Sequence, residues 1–219
     1  MKKSPNEKFV KENIKIYDKA IKKFGLSSSS VLWDDQQSQY FRFCELVKHL
    51  DLSSKKSILD VGCGNGELYK FLNFLGFRGT YVGSDINANL IKQAKKRFPA
   101  VEFHLVDIME KKIARKFDYA LMSGLFNVNV NQSLEWTQKF VKKMFSLSRE
   151  AIAFNAISTY VNYKQDEMFY LSPEEMFAYC VKNLSPRVTL LHHNLPYNYT
   201  IIVYKNSTWT SANRKAKDK

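Results

Sequence analysis

The sequence is short of cysteine. It has three in 219 residues, Cys44, Cys63 and Cys180, and no two share a CxxC spacing. Without such pairs, and without a His/Cys cluster, neither a zinc site nor a disulfide framework has anything to build on. The expectation is free thiols in a reducing cytoplasm and no metal. No apolar run approaches the roughly 18–20 residues that cross a bilayer, so no membrane partner is expected. The N-terminal "MKKSPNEKFVKENIKIYDK" opens basic but never becomes a continuous apolar stretch, which argues against a secretory signal. No internal repeat is visible. Acidic residues are few against basic ones, 21 to 34, for a formal net charge of +13. That imbalance suits nucleic acid or acidic partners. The lysines read as spread along the chain, and the densest basic run, "NRKAKDK", is terminal, which favours a solvated surface over a nucleic-acid patch.

What is present is enough apolar material, 45% of residues, for one domain with a core. From residue 57 the pattern alternates short β-rich runs with helical segments. The strands are 57–62, 80–86, 101–107, 117–124 and 150–158. Between them lie helical stretches, one capped by Asn87 and another opened by Ser172 and Pro173. Such alternation is the mark of a parallel sheet with helices on both faces. The end breaks the rhythm. "RVTLLHHN" and "YTIIVYK" are separated only by "LPYN", too little for a crossover helix, so they must pair antiparallel. His192 and His193 fall in the first of these strands, where alternation sends one inward. Two amphipathic helices precede the sheet. Val10, Ile14, Tyr17 and Ile21 mark the apolar face of one; Tyr40, Phe43, Val47 and Leu50 mark that of the other. Residues 1–56 thus form a helical cap, 57–205 the core, and 206–219 a basic, flexible tail.

The first strand ends in "LDVGCGNG". Ligands of open α/β sheets sit at the carboxyl ends of the strands, so this turn borders the site. It is not the G-x-G-x-x-G of dinucleotide binding: Gly62 and Gly64 fit, but the third glycine is one place early, at Gly66. It also lacks a P-loop lysine. Three carboxylates end the first three strands, Asp60, Asp85 and Asp107. Three acids around one crevice suit a ligand with a cation, hydroxyls and an amine better than a pyrophosphate. Strand-end capping is the competing role for Asp60 and Asp107.

With "LDVGCGNG" at 59–66, "VGSDIN" at 82–87, "HLVDIM" at 104–109 and "FDYALMSG" at 117–124, the chain resembles the class I S-adenosylmethionine-dependent methyltransferases. The likeness covers about 57–205 and extends to small bacterial proteins of the trans-aconitate-methyltransferase-like kind. It implies an α/β, Rossmann-like three-layer sandwich. Its sheet has seven mostly parallel strands in the order 3-2-1-4-5-7-6, the last antiparallel, under an N-terminal helical cap. It also implies S-adenosyl-L-methionine as cofactor and a role for each matching residue. Gly62 and Gly64 let the backbone approach the methionine part. Asp60 lies near the sulfonium or amine, and Asp85 on the ribose hydroxyls. Ile86 and Ile108 bound the adenine, Asp107 faces its exocyclic amine, and Ser123 floors the site beside the methyl. From the cap, Arg42 is placed to pair with the cofactor carboxylate and Trp33 to shield the sulfonium.

The acceptor is harder to read. No Asp/Asn-Pro-Pro-aromatic motif follows strand four, where "SGLFNVN" stands, which lowers methylation of base or amide nitrogens. No separate RNA-binding module is visible. The expectation is a small-molecule acceptor, with an RNA- or protein-directed enzyme and a catalytically silent cofactor-binding module as alternatives. Asn127, Tyr160 and His192 are the catalytic candidates, and the oligomeric state stays open.

Overall fold

The computed structural model describes residues 4–25, 36–53, 55–130 and 132–205. Trp33 and the tail from 206 onward lie outside the described residues, so the roles read for them are not addressed.

Helix α1 (Pro5–Phe24) begins with a capping box: Ser4 accepts from the backbone of Glu7, and the Glu7 side chain accepts from the backbone of Ser4. Helix α2 (Gln36–Val47) follows, then β1 (Ser57–Val61), α3 (Glu67–Phe74), β2 (Thr80–Asp85), α4 (Ala88–Arg97) and β3 (Glu102–Leu105). The second half holds β4 (Phe117–Met122), α5 (Leu134–Leu147), β5 (Ser148–Ser158), β6 (Tyr170–Leu171), α6 (Pro173–Asn183), β7 (Val188–Leu191) and β8 (Asn198–Tyr204). Asn87 caps α4 by accepting from the backbones of Asn89 and Leu90, and Ser172 caps α6 with Pro173 at its first position.

The strands run β3-β2-β1-β4-β5-β8-β7, parallel except for β8, which opposes both neighbours. This is the expected order. One strand is added: the two residues of β6 pair with the end of β5, Ile157 opposite Tyr170.

The period-two alternation of the strands divides the core between two faces. Leu59, Val61, Ile152 and Phe154 face α5 and α6, where they meet Phe140, Met144 and Met176. Ile58, Tyr119, Ala151 and Ala153 face the other way, toward Phe43 and Leu46 of α2, Phe71 of α3 and Ile91 of α4. Helices therefore cover both faces and leave the strand ends free for a site.

Two local expectations are corrected. The buried residues of α1 are Phe9, Asn13 and Ala20, whereas Val10, Ile14, Tyr17 and Ile21 are only half-buried. The helix is rotated by about a residue because it roofs a cavity instead of a dry core. β7 ends at Leu191, so His192 and His193 lie beyond the strand and both are exposed; neither turns inward.

Candidate functional site

The turn after β1 is held by the neighbouring strand. The backbone N–H groups of Gly62 and Cys63 both donate to the carbonyl of Ser84, at 2.8 and 3.0 Å. Gly62 has φ +75°, and a Cβ there would lie 2.9 Å from Leu125 Cδ1. The early glycine, Gly66, also has positive φ, +87°. Its absent Cβ would meet the Phe98 and Phe103 rings at 3.0–3.2 Å, so it serves the packing of α3.

Asp85 ties the turn to the second strand. Its Oδ2 accepts from Gly64 N at 2.9 Å and its Oδ1 from Asn87 N at 2.8 Å. Burial pushes its carboxyl up, and these backbone bonds oppose the shift. Asp60 is 2% exposed and accepts from the Tyr81 hydroxyl at 2.5 Å. Burial pushes its carboxyl up to about 7, the Tyr81 bond works against that, and the Asp85 charge adds to it. Burial thus disfavours the charged form of both carboxyls, and a cation or hydrogen-bond donor entering the turn would favour it.

A cavity of about 860 Å³ opens beside this turn. Asp60, Gly62, Gly64, Asp85, Ile86, Asp107, Ile108 and Ser123 all border it, as do Arg42 from α2 and Asn127 from the loop after β4. Arg42 is steadied by donating from Nε to Asn198 Oδ1 at 3.2 Å. Asn155, buried under the floor, clamps it from both sides. Its Oδ1 accepts from Gly124 N and its Nδ2 donates to Ser123 Oγ, each at 2.9 Å.

Helix α1 is the roof, contributing Phe9, Asn13, Tyr17 and Ala20. It is pinned at both ends. Asn6 donates to Asp107 Oδ2 at 2.9 Å and to Glu110 at 2.8 Å, while Asp18 accepts from Asn87 and Asn89 at 2.9 and 3.0 Å. Phe9 stacks on Trp136 with centroids 4.1 Å apart. The remaining wall comes from the segment after β5: a bridge between Val128 and Met168 brings Glu167 and Met168 to the cavity.

Two catalytic candidates do not reach it. Tyr160 is 62% exposed and hydrogen-bonded to Glu174. His192 lies against Tyr160 on the outer surface, with ring centroids 6.1 Å apart. Neither borders the cavity, because the segment after β5 presents Glu167 and Met168 inward and its tyrosines outward. Asn6, Asn13, Glu167 and Met168 were not expected there. Their only sequence signal was membership of segments flanking the strand ends.

Residues 52–212 match a family described as a methyltransferase domain. This chain belongs to the methyltransferase family. Rv1506c of Mycobacterium tuberculosis, a methyltransferase by name, is 32% identical over 157 residues, 69% of this chain and 94% of its own length. Among solved structures, the N-methyltransferase NodS from Bradyrhizobium japonicum WM9 with S-adenosyl-l-homocysteine superposes with a TM-score of 0.66 at 12% identity. That match covers 89% of this chain and 98% of NodS. Magnesium protoporphyrin IX methyltransferase from Synechocystis PCC 6803, with the same bound product, gives 0.65 at 13% identity, covering 91% and 97%.

The cofactor of this methyltransferase is S-adenosylmethionine, and the cavity fits it. Four buried polar atoms of lining residues, Gln39 Oε1, Asn65 Nδ2, Glu67 Oε2 and Asn127 Oδ1, have no hydrogen-bond partner among the described residues. A polar ligand is what such atoms require.

Proposed function

We propose that this methyltransferase passes the methyl of S-adenosylmethionine to a small-molecule acceptor bound in the same roofed cavity. The observation that carries this reading is the enclosure. About 860 Å³ lies under α1, toward the upper end of the roughly 300–1,000 Å³ of small-ligand sites, and so suits two small molecules side by side. The N-methyltransferase and protoporphyrin methyltransferase names among the structural neighbours support a small acceptor.

In this reading Asp85 accepts from the ribose hydroxyls. Asp60 faces the cationic end, Arg42 the carboxylate, and Asp107 the exocyclic amine between Ile86 and Ile108. Gly62 and Gly64 give the backbone access, and Ser123, clamped by Asn155, forms the floor. Residues 1–56 act as the cap of the 57–205 core. Bound, S-adenosylmethionine supplies a methyl already activated on a sulfonium. What the chain contributes is placement: a rigid floor, a roof that excludes water, and the Asn127 and Gln39 oxygens to orient an acceptor's hydrogen-bond donor. Tyr160 and His192 take no part, since both lie outside the cavity.

The test is transfer of labelled methyl from S-adenosylmethionine into fractionated extracts of the source cell. Label is expected in the small-molecule fraction. Label confined to RNA or protein would overturn the acceptor class, and cofactor binding with no labelled acceptor would favour a silent module.

A further inference from the structure

The outer side of the roof has a pattern that the cavity does not explain. Lys8, Lys11, Lys15, Lys19 and Lys22 are all exposed, and of these five Lys19 alone also borders the cavity, at the edge of the row. Their spacing of 3, 4, 4 and 3 residues gathers them, at 100° per residue, into an arc of about 80° on α1. At 1.5 Å per residue the row is about 21 Å long. Some lysines elsewhere are matched, Lys48 with Glu45, Lys56 with Glu150 and Lys139 with Glu135, while others, such as Lys92, Lys95 and Lys96 of α4, form no ion pair among the described residues. The five on α1 form no ion pair among the described residues. Of the acids on the same helix, Glu7 is used in the cap and Asp18 holds Asn87 and Asn89, which leaves Glu12 beside the row. At the other end, Asn6 is bonded to Glu110, which brings the exposed Lys111 and Lys112 close to the start of α1. Five lysines that read as part of a dispersed charge therefore form one continuous row on α1.

We propose that this row is a docking surface for an acidic helical segment of a partner protein. A helix carrying Asp or Glu at i, i+3 and i+4 spacings presents a row with the same repeat, so charges can match along its length. A membrane fits less well: an amphipathic helix binds lipid through a free apolar face, and that of α1 is turned inward over the cavity. Single-stranded nucleic acid fits less well too. Base stacking needs exposed rings, and among the residues whose burial is described the exposed aromatic ones (Phe41, Phe74, Tyr160, Tyr163, Phe177, Tyr197) all lie on other elements. Because the inner side of α1 is the cavity roof, a partner on its outer side would bear directly on access to the site.

The experiment uses the full chain and a labelled helical peptide bearing five glutamates at the 3-4-4-3 spacing, with poly(U) and vesicles of anionic phospholipid as parallel probes. Peptide binding is expected to survive roughly 0.15 M salt. It should weaken at least about tenfold in Lys8→Glu/Lys11→Glu/Lys15→Glu and stay within about twofold in Lys92→Glu/Lys95→Glu/Lys96→Glu of α4. Circular dichroism checks the fold, and Lys8→Gln/Lys11→Gln/Lys15→Gln gives the same readout if the charge reversal perturbs it. Equal weakening in the α1 and α4 variants would overturn the proposal. So would absence of peptide binding, or tighter retention of poly(U) or vesicles by the same lysines.

Discussion

The two ends of the cavity are built differently. The end read as holding the cofactor comes from three strand ends between residues 60 and 108, and its carboxylates are fixed by nearby groups: Asp85 by Gly64 and Asn87, Asp60 by Tyr81. The other end is assembled from Gln39 of α2, the loop after β4 and the segment after β5, the last two joined by the Val128–Met168 bridge. There, the Gln39 and Asn127 oxygens have no hydrogen-bond partner among the described residues. The carboxylates of the first end are preset by the protein, whereas the second end offers the Gln39 and Asn127 amide oxygens with capacity open; in the proposed reading one ligand meets fixed geometry and the other free acceptors.

Variants at the first end should cost both stability and affinity, the largest effect coming at Gly62. Gly62→Ala meets positive-φ strain of about 1–2 kcal/mol plus the contact with Leu125, so the melting temperature should fall and S-adenosylmethionine binding by calorimetry should drop more than about tenfold. Gly76→Ala, with φ +84° and nothing within 4 Å of the added Cβ, is the strain-only control. Asp85→Ala should weaken cofactor binding at least about tenfold, since it leaves two backbone donors unmatched as well as removing the carboxylate. Unchanged affinity would sink its assignment.

The pH behaviour of Asp60 sharpens the contrast. Its folded pKa of about 7 lies above the 3.8 of the unfolded chain, so the folded state holds the proton more tightly. Its contribution to stability is full below about pH 4 and is lost as pH rises through 7. Melting curves of the free protein should show this decline between pH 4 and 7, and Asp60→Asn should flatten it. An identical profile in the variant would remove Asp60 as its source.

At the acceptor end, Asn127→Ala should lower methyl transfer by roughly three- to tenfold while cofactor affinity changes by less than about twofold. A loss of cofactor affinity instead would erase the distinction between the two ends. The smallest effect is expected at His192: His192→Ala should leave transfer within about twofold, because the side chain is exposed outside the cavity.

The same contrast governs what could be read from sequence. The strands, the glycine turn and the Asn87 and Ser172 caps are local patterns, and local patterns survive folding. Asp60, Asp85 and Asp107 could be placed at the cavity from sequence because each lies at or just past the carboxyl end of a strand. The inner face of α1 was not, because it includes Asn13 and half-buried residues that border a ligand space, and hydrophobic periodicity reports dry cores. That Tyr160 and His192 lie outside the cavity could not be read for a related reason: composition shows an aromatic segment near the site, but the bridge at Met168 brings Glu167 and Met168 to the wall instead. The α1 lysines are evenly spaced in sequence, and only helical geometry brings them together.

One contact described above also makes the roof observable. Phe9 lies on Trp136, whose ring is 5% exposed and whose indole N–H is buried without a hydrogen-bond partner among the described residues. Lifting α1 would wet that indole and redden its emission. With Trp33 and Trp209 replaced by Phe, Trp136 becomes a built-in optical gauge, able to report in real time when the roof opens and when it shuts.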